Sequence, residues 1–348
     1  MANTDPEIAT RAPESDAQED VPTEPTVTAT ATTASSSSSS GGEETAAANP
    51  KMGEHCVTDR PVPSGQGPTG ELRKLNDIDV YVSKPSEYPH APARLLLLLT
   101  GGTGLKSINN QIQADRFAQE GFLVVMPDLF EGDVAPNSTT VEEQPSEGGG
   151  SFIDAFKTKA VEGVKSFMID MWLARHTDEK VVPILHKVLD GATDEFADAV
   201  STGGGIYAVG YCFGGKYVLH LASEKKLKAG NGLWGSAQKP ADEESGAQND
   251  GPYIKAGALA HATLVARDDF DGIKAPVSLV CVENDPLFPD DVRTAGEDYM
   301  SKSNVEHEVQ VYPGVPHGFA VVGDYDDVGI KNAQRTAFEQ MLKWLKEH

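Results

Sequence analysis

Two uninterrupted apolar runs, RLLLLLT at 94–100 and FLVVMP at 122–127, stand one helix length apart in the chain. Runs without polar alternation suit strands buried on both faces, the situation in a parallel sheet covered by helices. Between them, NNQIQADRFAQEG places Ile112, Phe117 and Ala118 near one helical face and stops at Gly121, a helix C-terminal signal. A strand, a crossover helix and a second strand follow from this spacing. The segment DIDVYVS (77–83) alternates with period two and is expected at a sheet edge. The pattern continues with helices expected over 153–175 and 178–190, a strand over 205–212 and a helix from near Gly214. Further strands are expected at 256–261, 276–283 and 307–313, with helices between them and a last amphipathic helix over 328–346. The expected fold class is α/β, with a mostly parallel central sheet flanked by helices on both faces. Polar stretches at 134–151 and 225–252 are expected as surface excursions, and no repeat of solenoid period is present.

The chain has 348 residues, but its first 50 carry nine acids, one Arg, a run of six Ser and no aromatic residue. Such a segment cannot bury enough apolar surface to offset its ordering entropy, so residues 1–50 are expected as a disordered acidic tail and 51–348 as one domain. The formal charge of −24 divides into about −8 in the tail and, by subtraction, about −16 in the domain. That balance disfavours nucleic acid and anionic membrane surfaces as partners. The N-terminus has no apolar signal core, and Leu95–Leu99 is too short to span a bilayer. Cys56, Cys212 and Cys281 are far apart and lack CxxC spacing, which gives neither a metal knuckle nor a disulfide framework. A cytoplasmic protein is expected, as a monomer or small homo-oligomer.

Gly210-Tyr211-Cys212-Phe213-Gly214 has the form G-x-nucleophile-x-G, with a strand-like run before it and a helical pattern after it. A sharp turn from strand to helix exposes the central side chain and aims a helix N-terminus at it. Glycines at its flanks keep side chains clear of neighbouring strands. A lone Cys is equally compatible with core packing, so partners decide. Asp285 follows the strand pattern PVSLVCVE, and His317 lies in PGVPHGF after HEVQVYP. Nucleophile, acid and His in that order, each beyond a strand's carboxyl end, is the order of α/β-hydrolases. Glu283 is a competing acid, and a capping role before Pro286 competes for Asp285.

From about residue 55 to the end, the chain resembles the dienelactone hydrolase family of the α/β-hydrolase fold. The resemblance rests on NNQIQADRFAQEGFLVVMPDLFEGD (109–133), GYCFGG (210–215), AGALAHATLV (256–265), NDPLFPDDVR (284–293) and YPGVPHGFAVVGD (312–324). It implies that Cys212 is the nucleophile, Asp285 the orienting acid and His317 the base, in a hydrolase of small esters or lactones without metal or organic cofactor. Relatives usually place an acidic stretch resembling DIFG, or a Glu that helps control the thiol, after the first long strand. Here that place reads Gly101-Gly102-Thr103-Gly104. Either these glycines let backbone N–H groups, from Gly102 or Thr103, join that of Phe213 around a substrate oxygen, or the loop is relaxed and the pocket widened. The spacing of GGTG fits no phosphate-binding loop.

His261, at a strand end, is a candidate for lining the site, with a structural role as the alternative. Arg175, Arg267 and Arg293 are the cations considered for a substrate carboxylate, none with a specific motif. Trp172 and Phe167 are expected in the core. The reading is a thiol-dependent ester or lactone hydrolase working through an acyl-thioester. The alternatives are a broad carboxylesterase or thioesterase and a noncatalytic ligand-binding or redox-responsive relative.

Overall fold

A computed structural model describes residues 58–136, 167–225 and 252–348. The expected acidic tail, most of the helix expected over 153–175, and most of the two polar excursions lie outside these residues. Eight strands form one sheet: β1 (Glu71–Leu75), β2 (Ile78–Ser83), β3 (Arg94–Leu99), β4 (Phe122–Pro127), β5 (Tyr207–Tyr211), β6 (Ala256–Ala260), β7 (Val277–Val282) and β8 (His307–Tyr312). Their spatial order is β1-β2-β4-β3-β5-β6-β7-β8. From β4 to β8 every neighbour pair is parallel, while β2 runs antiparallel to both β1 and β4. The fold is α/β, as the alternation of apolar runs requires.

The LLLLL run of β3 explains why helices cover both faces. Leu95, Leu97 and Leu99 enter one core layer and Leu96 and Leu98 the other. A fully buried leucine contributes about 1.5–3 kcal/mol relative to exposure, so neither face of β3 tolerates solvent. Helix α1 (Ile108–Gln119) crosses from β3 to β4, begins at Ser107, whose hydroxyl accepts from the Asn110 N–H, and runs out just before Gly121 at φ 98°. Helices α2 (Asp178–Glu195) and α3 (Ala197–Gly203) precede β5, and α4 (Phe213–Ala222) follows it. Helices α5 (Asp290–Lys302) and α6 (Val328–Glu347) complete the cover, α6 starting one residue after its cap Asp327.

Two expectations change. DIDVYVS is not the edge: β1 lies outside it, joined by a hairpin whose Asn76 and Asp77 have φ 44° and 67°. Asn and Asp tolerate that left-handed geometry, which makes the tight turn, and β2 is consequently buried along most of its length. Phe167 is 63% exposed, whereas Trp172 is fully buried. Both belong to the helical residues 167–175, and five positions at about 100° each place them on nearly opposite sides of the helix.

Candidate active site

The carboxyl ends of β5, β7 and β8 bring three separate stretches of sequence to one edge of the sheet. Cys212 follows β5 directly, at φ 50° and ψ −117°, and caps the start of α4. A non-glycine residue is held there only by its surroundings. Its N–H donates to Ala260 O at 3.1 Å, and its carbonyl accepts from the Thr263 N–H at 3.0 Å. The glycines on either side are sterically required. A Cβ at Gly210 would lie 2.5 Å from Gly214 O, and one at Gly214 would run into the main chain of Leu99. Gly214→Ala is expected to cost about 3 kcal/mol, seen as a fall in Tm of about 6–9 °C. An unchanged melting curve would remove the steric argument.

His317 sits beyond β8, and its Nδ1 lies 2.6 Å from Asp285 Oδ2. Asp285 is buried, and its other oxygen accepts from the Leu287 N–H at 2.9 Å. Those bonds fix the carboxylate and leave Nε2 of His317 facing the sulfur side. Glu283 is exposed, and Asp285 is the acid that reaches the ring. Thr263 Oγ1 lies 3.2 Å from Cys212 Sγ and 3.2 Å from His317 Nε2. Burial opposes a charged His317, but hydrogen bonds to Asp285 and Cys212, with their negative charge, outweigh it and raise the ring to about 9. The arrangement therefore favours a charged His317 ring between Asp285 and Cys212.

The sheet register sets Leu99 opposite Gly210, which lays the 101–104 loop against Cys212. A Cβ at Gly101 would be 3.0 Å from Cys212 Cβ and 3.6 Å from Sγ, so glycine there leaves open space beside the thiol. Among the described residues, the N–H groups of Gly102, Thr103 and Phe213 make no hydrogen bond. The Phe213 ring packs on Phe130, Trp172 and Tyr217, which anchors the first turn of α4.

A small cavity, open in part to solvent, has Cys212, Gly101 and His261 on its wall. His261 is fully buried, and neither ring nitrogen has a hydrogen-bond partner in another described residue. Burial and then the neighbouring His317, at 5.0 Å between ring centroids, push its pKa well below the usual value, so it is neutral. Thr103, Asn109 and Asn110 form a polar side of the cavity, and Gly318, Val321 and Val322 an adjoining one.

The remaining wall comes from Thr58, Asp59 and Arg60, a strap far upstream in sequence. It is tied down by Ser107 Oγ to Asp59 at 2.6 Å, Asn109 Nδ2 to Arg60 O at 2.9 Å and Asp324 N–H to Pro61 O at 2.8 Å. Burial raises the Asp59 carboxyl above its ordinary pKa, against the hydrogen bonds from Ser107 and the Ile108 N–H. The Arg60 guanidinium carbon stacks 3.8 Å above the Tyr325 ring. The three arginines considered from sequence are elsewhere: Arg175 pairs with Asp133, Arg267 with Asp291 and Arg293 with Asp290, and none lines the cavity. Thr263 and the strap went unnoticed in the sequence. The signals for Thr263 were its place two residues after His261 and within the family-like stretch AGALAHATLV.

The family model described as the dienelactone hydrolase family matches residues 78–348. The chain belongs to the dienelactone hydrolase family. The hydrolase pyvD of Aspergillus violaceofuscus is 29% identical over 279 residues, which cover 80% of this chain and 90% of that one. Dienlactone hydrolase 1 of Gibberella moniliformis is 24% identical over 286 residues, covering 80% and 87%. Among solved structures, the propionate-bound esterase Est2 of Thermogutta terrifontis superimposes with a TM-score of 0.52 at 16% identity, over 81% of this chain and 96% of that one. This dienelactone hydrolase family member has the α/β-hydrolase fold, and no helix among its described residues is long and apolar enough to cross a membrane.

Proposed function

We propose that the protein cleaves a small ester or lactone by nucleophilic catalysis on Cys212, with His317 as base and Asp285 as its orienting acid. As a dienelactone hydrolase family member, it is a carboxylic ester hydrolase. The observation that supports the thiol mechanism most directly is the chain of contacts from Asp285 through His317 to the elbow sulfur, with the first link at 2.6 Å. His317 takes the thiol proton, and the thiolate adds to the substrate carbonyl. The carbonyl oxygen becomes an oxyanion that accepts from the Phe213 N–H and from an N–H of Gly102 or Thr103. Collapse expels the alkoxide or enolate, which takes a proton from the imidazolium. Water, deprotonated by His317, then hydrolyses the thioester and frees Cys212.

Gly101 and its open space beside the sulfur favour a second reading of the same chemistry, a carboxylesterase or thioesterase with broad acyl tolerance. On this reading the domain over 51–348 carries the reaction, and the acid-rich residues 1–50 take no part in it.

Intact-mass spectrometry during turnover of p-nitrophenyl acetate tests the mechanism. A transient adduct of one acetyl group on the peptide containing Cys212 is expected, and turnover without any such adduct would refute the thioester route. Relative rates on a dienelactone, an aryl ester and an acyl thioester separate the narrow reading from the broad one. On this reading His261, a neutral ring on the cavity wall, donates one ring N–H to a substrate oxygen. His261→Leu is expected to raise KM about ten-fold and leave kcat within about three-fold, the loss of one ground-state hydrogen bond. A fall in kcat at constant KM would contradict this assignment.

A further inference from the structure

We propose that Thr263 is a fourth catalytic residue, its hydroxyl bridging Cys212 Sγ and His317 Nε2 and serving both in either protonation state. The inference rests on the reading of Cys212 as the nucleophile. Its basis is geometric. Thr263 Oγ1 stands 3.2 Å from the sulfur and 3.2 Å from the ring nitrogen, and the residue is fully buried. Its main chain is fastened to the elbow itself, because the Thr263 N–H donates to Cys212 O while the Cys212 N–H donates to Ala260 O at the end of β6. The residues around it, His261 at φ 38° and Leu264 at φ 60°, turn the chain sharply enough to bring position 263 back over the sulfur. Gly101, on another side of Cys212, brings no side-chain polar group.

A hydroxyl has one proton and two lone pairs, so it can donate to one neighbour and accept from the other at the same time. With the thiolate and imidazolium formed, Oγ1 donates to Sγ, and Nε2–H is shared between Sγ and Oγ1. With the neutral pair, both bonds reverse: S–H donates to Oγ1, and Oγ1–H donates to Nε2. Passing from the second state to the first moves two protons. The S–H proton goes to Oγ1 and the hydroxyl proton goes to Nε2. The electron pair of the broken S–H bond stays on sulfur, and the hydroxyl is regenerated unchanged. Once Sγ is acylated, the anion that the hydroxyl solvated is gone, and nothing holds the hydroxyl against turning to Nε2. Thr263 therefore acts on the reacting sulfur and makes the thiolate available before substrate arrives.

The test is the rate of Cys212 alkylation by iodoacetamide as a function of pH, in the full chain, located by peptide mass. Thr263→Val keeps the shape and removes the hydroxyl. It is expected to shift the alkylation midpoint upward by about one pH unit and to slow alkylation near pH 6–7 about ten-fold, the effect of one hydrogen bond to an anion. Acylation by p-nitrophenyl acetate should fall in the same ratio with KM nearly unchanged. Thr263→Ser should restore both to within about three-fold, since it returns the hydroxyl. An unchanged midpoint and acylation rate in Thr263→Val would overturn the proposal, as would a Ser variant as impaired as the Val one. If the Val variant does not fold, acylation of the natural chain in mixed light and heavy water decides: a curved proton inventory supports two moving protons, and a linear one overturns the relay. Full turnover in Cys212→Ser would sink the nucleophile reading itself, whereas an inactive Cys212→Ser with an unaffected Thr263→Val sinks Thr263 alone.

Discussion

Cys212→Ser is expected to lower ester turnover at least about 10³-fold while leaving the fold intact. The substitution replaces sulfur with a smaller oxygen at a buried position, so packing changes little. The chemistry changes far more. A thiol ionises within reach of an imidazole, whereas an alcohol must lose its proton as it attacks. On the proposed mechanism, the His317 environment, with Asp285 on one side and sulfur on the other, holds a positive ring next to a thiolate. Serine supplies no such anion, and residual activity would come from the backbone N–H groups and binding alone. Steady-state turnover of p-nitrophenyl acetate together with a melting curve checks both halves. Turnover within ten-fold of the natural chain would reject a thiolate nucleophile.

Asp285→Asn is expected to lower kcat by about 10³–10⁴-fold with little change in KM. The amide retains the shape of the carboxylate but can present an N–H to Nδ1, which leaves the wrong tautomer facing the sulfur. The pH behaviour gives a second readout. His317 is raised to about 9 with its bond to Asp285 foremost among the raising causes. The natural chain should therefore lose activity on the alkaline side near pH 9, where the ring can no longer protonate a leaving group. In Asp285→Asn that limb should move toward neutrality. Stability follows the same sign. A ring whose folded pKa lies above its unfolded value stabilises the fold fully below about 6.5, and that contribution disappears as pH rises through about 9. An alkaline limb that stays in place in the variant would show that Asp285 does not set the charge of His317.

Most of the sheet was legible because its strands carry strong local signals. The runs in β3 and β4 admit hardly any placement except between two layers of helix, and the final helix was placed within a residue at each end. The edge was misjudged because alternation reports a half-buried face, not a neighbour. β1, with the pattern ELRKL, buries only Leu75 and contributes little hydrophobic signal of its own. Phe167 illustrates the same limit: an aromatic residue in an apolar stretch says nothing about which side of the helix it occupies. At the candidate site, Cys212, Asp285 and His317 were singled out from local turns at strand ends, and His317 Nδ1 lies 2.6 Å from Asp285. Thr263, Asn109 and the strap residues were not, because each meets the site only through a long-range contact. The arginines show the converse, since a cation in sequence carries no information about its partner and all three had an acid close by.

The strap of Thr58, Asp59 and Arg60 precedes the residues that match the family model, which begin at 78. One side of the cavity is thus furnished by a stretch of chain that precedes the matched residues and is bonded to them. Changes in that stretch can alter which molecules fit without disturbing the elbow or the sheet that supports it. The strap is therefore a wall held to the core by a few hydrogen bonds, to Ser107, Asn109 and Asp324, rather than by the sheet itself.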